Sequence, residues 1–95
     1  MKAKRIFYDR MEFADGAILE MVIWLVPKSV EGSAHHLKYS LVYGRPGLRL
    51  VGYDNEQGKG DHRHFDEREA AYLFTTPEAL VEDFLSDVKK LRGES

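Results

Sequence analysis

Ala17-Ile18-Leu19-Glu20-Met21-Val22-Ile23-Trp24-Leu25-Val26 is the stretch that decides the fold. All of it except Glu20 is apolar, and its β-branched and aromatic content favours extended backbone. Leu19, Met21, Ile23 and Leu25 share one face of such a strand, and Ile18, Val22, Trp24 and Val26 share the other. A run apolar on both faces predicts a central strand covered on both sides. Ala14-Asp15-Gly16 ahead of it is a hairpin turn signal. Residues 4–13 then read as the partner strand, with Phe7, Met11 and Phe13 on one side and Ile6 and Tyr8 on the other. Pro27 ends the run, and residues 28–33, with Gly32 and Ser33, read as a loop.

Downstream, residues 35–43 alternate. Leu37, Tyr39, Leu41 and Tyr43 point one way, and His36, Lys38, Ser40 and Val42 the other. Arg45-Pro46-Gly47 marks a second turn, and residues 48–54 read as a fourth strand. Hairpin links in succession predict an antiparallel meander. Thr75-Thr76-Pro77-Glu78 announces a helix, with Thr76 as N-cap before Pro77 or with Thr75 and Glu78 as a capping box. Leu80, Phe84, Val88 and Leu91, flanked by Val81 and Leu85, form an apolar stripe at helical spacing. Lys89, Lys90 and Arg92 suit its negative end and Gly93 stops it. Between Phe65 and Phe74 the pattern is weak: residues 66–69 read as a solvated turn, and 70–74 as a short strand or an extended connection. The expected fold is α+β, an antiparallel meander of about four strands with the C-terminal helix packed on one face, in a single domain over residues 1–95.

Composition narrows the function classes. The chain is 43% hydrophobic and 12% aromatic without a low-complexity tract, which excludes wholesale disorder. It has no cysteine, which removes disulfides, thiol nucleophiles and thiolate metal sites and fits a reducing cytosol. No run is long and apolar enough for a membrane span, and Asp9, Arg10 and Glu12 interrupt any signal-peptide core after the basic start. A cytoplasmic protein is expected. The net charge of −2 argues against a general nucleic-acid coat, although residues 1–50 sum to +3 and residues 51–95 to −5.

Residues 53–64, Tyr-Asp-Asn-Glu-Gln-Gly-Lys-Gly-Asp-His-Arg-His, concentrate the chemistry. Groups that titrate, donate hydrogen bonds or bind phosphate are what a site needs, and an ordinary loop would use other residues. Cleaving RNA through its own 2′-hydroxyl needs a base, an acid and cations on the phosphate. His62 and His64 fill the proton roles and share a face in extended backbone. Lys59 then suits the phosphate, while Arg63 faces away unless the loop is irregular. Asp54 or Asp61 orients an imidazole, Asn55 holds substrate or loop, and Arg63 joins these as a substrate-binding candidate. Tyr39, Tyr43 and Tyr53 are stacking candidates for a base, or else core. A second reading is a metal site of His62 and His64 with Asp54 or Asp61; a third is a hydrogen-bonded turn with no chemistry. No metal or other cofactor is expected, and Gly58-Lys59-Gly60 lacks the spacing of a phosphate-binding P-loop. His35 and His36 receive no role, one facing the core side and one solvent.

This twelve-residue stretch resembles the signature of the TumE family of toxin–antitoxin toxins. The resemblance extends to the Asp15-Gly16 turn with the Glu20-Met21-Val22-x-Trp24 strand, and to Tyr72-x-Phe74-Thr75 before the helix. It implies a small cytoplasmic bacterial toxin paired with an adjacent antitoxin, typically carrying a helix-turn-helix domain. Many such toxins are ribonucleases, so the function expected is a metal-independent ribonuclease acting on mRNA or other translation-related RNA. The alternative is a non-catalytic protein whose loop 54–64 binds a protein or nucleic-acid partner. A homo-oligomer is compatible with either.

Overall fold

In a computed structural model that describes residues 2–56 and 58–94, the chain is α+β. Gln57 of the polar stretch and Met1 of the basic start lie outside the described residues. Six antiparallel strands lie in chain order: β1 (Lys4–Glu12), β2 (Ile18–Leu25), β3 (Leu37–Arg45), β4 (Leu48–Asp54), β5 (His62–Phe65) and β6 (Arg68–Ala71). One helix, α1 (Pro77–Leu91), follows. The meander is as expected, but it has six strands rather than about four. The first of the extra pair, β5, starts in the polar stretch; the second, β6, takes in Arg68 and Glu69, expected in a solvated turn, and Ala70 and Ala71. His62–Phe65 pairs with β4 and folds back through a turn in which Asp66 takes a left-handed φ of 56°. Short polar strands lack the apolar alternation that betrays a half-buried strand, so this hairpin is invisible to periodicity.

The helix starts as its sequence indicates. Thr76 is the N-cap, its hydroxyl accepting from Ala79 N–H at 3.0 Å, and Pro77 occupies the first turn. Leu80, Phe84 and Val88 bury against Leu19, Met21, Ile23, Tyr39, Leu41, Tyr43, Val51 and Tyr53. These sheet residues alternate along β2, β3 and β4, so one face of the sheet supplies the whole core. At the far end Arg92 stacks 3.9 Å from the Phe13 ring, donates to Tyr43 Oη at 2.8 Å and pairs with Asp15 at 3.2 Å. The helix end is thereby tied to the β1–β2 hairpin.

The expectation that β2 is covered on both sides fails. Ile18, Val22 and Trp24 are half-exposed because the helix lies on one side only. The opposite face is open, and β-propensity alone cannot distinguish a doubly covered strand from an amphipathic one whose outer face is also apolar. No helix among the described residues is long and apolar enough to cross a membrane.

Candidate functional site

Strand register divides the polar residues of β5 between the two faces of the sheet, and the loop before β5 adds a second histidine cluster. On β5, Arg63 lies opposite Tyr53, while His62 lies opposite Asp54 and His64 opposite Gly52. Tyr53 is on the helix face, so alternation sends Arg63 there and both histidines to the open face. Arg63 donates to Asp87 Oδ2 at 2.8 Å and lies 5.6 Å over the Tyr53 ring, and Tyr53 Oη donates to the same oxygen at 2.6 Å. This triad clips β5 to α1. Burial, then the Asp87 carboxylate, pushes the Tyr53 hydroxyl well above the ordinary tyrosine pKa. Tyr72, whose hydroxyl donates to Asp83 at 2.6 Å, is raised by burial and then by Asp83. Tyr39, Tyr43 and Tyr53 are all core residues, not exposed stacking surfaces.

The open-face cluster centres on His62. Its Nδ1 donates to the Gly60 carbonyl at 3.2 Å, and its Nε2 lies 3.3 Å from Asp54 Oδ1 and 3.9 Å from Glu69 Oε1. Only Nδ1 makes a hydrogen bond among the described residues; Nε2 has two carboxylates nearby and no hydrogen bond. His62 is only 6% exposed although no helix covers this face. An open cleft of about 300 Å³, lined by Lys59, Asp61, His62, Glu69, Ala70 and Ala71, reaches it. His64, two residues along the same face, has a buried Nδ1 with no hydrogen-bond partner among the described residues. Glu69, opposite His64 on β6, joins the cluster without having stood out in the sequence, because its turn-like surroundings hid the strand that carries it.

The second cluster gathers around Asp61. Ser33 Oγ donates to Asp61 Oδ1, and His35 Nε2 donates to Oδ2 at 2.7 Å. His35 Nδ1 accepts the Leu37 N–H at 3.1 Å, which fixes the proton on Nε2. The ring is stacked 3.9 Å from Phe74. Asn55, fully buried, accepts from Tyr39 N–H at 3.0 Å and donates to the Leu37 carbonyl at 2.7 Å and Ser33 Oγ at 3.2 Å. Gly32 and Gly60 meet back to back: a Cβ on Gly32 would stand 2.5 Å from Gly60 N, and both have positive φ. Tyr39 Oη is buried beside this cluster without a hydrogen-bond partner among the described residues, and burial followed by the Asp61 charge raises its pKa far above the usual range.

The structure thus brings His62, His64 and Asp54 together, with Lys59 exposed at the mouth of the cleft and without an ion-pair partner among the described residues. It sets Asn55 and Asp61 in the second cluster and Arg63 on the far face. The described residues contain no group of three metal-ligating side chains with suitable placement.

A family model described as toxin TumE matches residues 2–92. No curated protein and no solved structure matches the chain. Such a family comprises toxins of toxin–antitoxin systems, which implies an antitoxin partner. The match takes in all six strands, the helix and both histidine clusters, and the chain belongs to the TumE toxin family.

Proposed function

We propose that this toxin is a metal-independent endoribonuclease, acting in the cytoplasm on mRNA or other translation-related RNA and held in check by a cognate antitoxin with a helix-turn-helix domain. The observation that carries the reading is the pair His62 and His64 on one open face of β5, in register with Asp54 and Gly52. Residues two apart on a strand are about 6.5–7 Å apart, a span across which two imidazoles flank one phosphodiester. One imidazole takes the proton of the 2′-hydroxyl as its oxygen bonds to phosphorus. The other gives a proton to the 5′-oxygen as the P–O bond breaks, leaving a 2′,3′-cyclic phosphate. Gly60 and Asp54 orient His62, and Lys59 supplies positive charge at the cleft mouth. Asn55 and Asp61 act by shaping the loop that leads into His62, and Arg63 by holding β5 against the helix.

The test is cleavage of mixed-sequence RNA by purified wild type in EDTA, with end analysis of the products. Cyclic phosphate ends from the wild type and their loss in a His62→Gln, His64→Ala double variant are expected. Full cleavage by the folded double variant removes the catalytic role of the pair. Absence of cleavage by a wild-type protein that still arrests growth leaves the loop as a binding element.

A further inference from the structure

Arg49 occupies a place that regular alternation would deny it. Val51 and Tyr53 face the helix, so a residue two before Val51 belongs on that face too. Instead the β3–β4 register shifts between Tyr43, opposite Val51, and Gly44, opposite Arg49. Leu50 is the extra residue of this bulge, and the bulge turns Arg49 onto the open face. There its side chain runs over Gly52. A Cβ on Gly52 would stand 2.9 Å from Arg49 Cδ and 3.3 Å from Nε. Gly52 is the direct partner of His64, and Asp54, whose Oδ2 lies 3.8 Å from Arg49 Nη1, is the partner of His62. The guanidinium therefore travels along β4 beside the histidine pair.

We infer that Arg49 is a phosphate-binding cation of this site in addition to Lys59, that its ligand is the backbone of a single-stranded polynucleotide, and that position 52 is glycine so that Arg49 can cross it. The inference deepens the ribonuclease reading and rests on it for the catalytic step. Its contact with Asp54 is too long for a hydrogen bond, and no hydrogen bond to the guanidinium occurs among the described residues. An arginine with its donor fork free matches two phosphate oxygens at once. A half-exposed ion pair of this length contributes little to stability, so the bulge and the missing side chain at position 52 need another explanation.

The probe is a short single-stranded oligodeoxynucleotide, which offers phosphates but no 2′-hydroxyl to attack. Binding to wild type is measured across a salt series. Arg49→Ala is expected to weaken it about 10-fold and to make the slope of log affinity against log salt shallower by about 0.7, the contribution of one phosphate contact on a single strand. Gly52→Ala, which displaces the arginine, should reproduce much of that change, and Arg49→Lys should keep the slope while losing affinity. With RNA, Arg49→Ala should lower kcat/KM about 10²-fold. Wild-type affinity and slope in Arg49→Ala, or no binding by wild type, overturn the inference. An unchanged Gly52→Ala overturns the part assigned to that glycine. Arg49-dependent binding by a wild type that cleaves no RNA upholds the phosphate site and defeats the ribonuclease reading, so the two fail separately.

Discussion

His62 with Asp54 and His35 with Asp61 are both largely buried imidazole–carboxylate pairs that draw on the same twelve-residue stretch, yet they differ in what their rings have left to offer. His35 is spent. One nitrogen accepts a backbone N–H, the other donates to Asp61, and the ring is stacked on Phe74 while Ser33 holds the far carboxylate oxygen. His62 has one nitrogen tied to Gly60; its other lies 3.3 Å from Asp54, and the residue lines a cleft with Glu69 and Lys59. The first pair locks the loop 28–36 to the loop that precedes β5; the second stands on an open sheet face. The same residue types thus make a lock or a site according to how many of their hydrogen-bonding positions the fold has already filled.

The strongest way to break this comparison is to truncate both kinds of histidine. His62→Gln and His64→Ala should each lower RNA cleavage by about 10²–10⁴-fold, the usual size of a general acid–base contribution, in protein that is folded by circular dichroism. His35→Ala should reduce cleavage less than tenfold and lower the thermal midpoint, since it orphans the Leu37 N–H. Loss of cleavage in His35→Ala at an unchanged midpoint would exchange the two assignments.

Asn55 sharpens the lock side. Its side chain satisfies Tyr39 N–H and the Leu37 carbonyl, both at the start of β3. Asn55→Ala should cost about 2–6 kcal/mol in urea unfolding, because each buried backbone group left unpaired costs about 1–3 kcal/mol. A midpoint equal to wild type would show that water takes over these bonds and that the loop is not locked.

The two carboxylates should separate in the same way on a smaller scale. Asp61→Asn should cost about 1–3 kcal/mol by weakening the bonds from Ser33 and His35. Asp54→Asn should leave unfolding nearly unchanged and slow cleavage, with the effect seen in kcat more than in KM, because its part is to orient His62. Equal losses of stability in both variants would erase the distinction.

The mildest effect is expected in alkali. Tyr39, Tyr53 and Tyr72 all have hydroxyls raised above the ordinary range, chiefly by burial. A group whose folded pKa exceeds its unfolded value stabilises fully below the unfolded pKa, about 10 for tyrosine, and that stability is lost as pH rises above it. Unfolding midpoints should therefore fall progressively above about pH 10, and Tyr53→Phe, which removes one such group, should flatten the fall. A pH-independent midpoint in that range would place these hydroxyls in contact with water.

The meander through β4, the helix with its threonine start and apolar stripe, and the shared face of His62 and His64 were legible in the residues alone. Each of these is a matter of local periodicity or capping chemistry, which acts between residues a few positions apart. Long-range pairing set the rest. It made β5 and β6 out of polar residues whose strand character comes from pairing with β4. It left the outer face of β2 open by laying a single helix on the other side. It joined Asp61 to His35 across 26 positions and gave Arg63 to Asp87 across 24. It turned Arg49 toward the histidines through one bulged residue that shifts the side-chain alternation by a single step. Partners so distant along the chain leave no period to read; only the register of paired strands brings them within hydrogen-bonding reach.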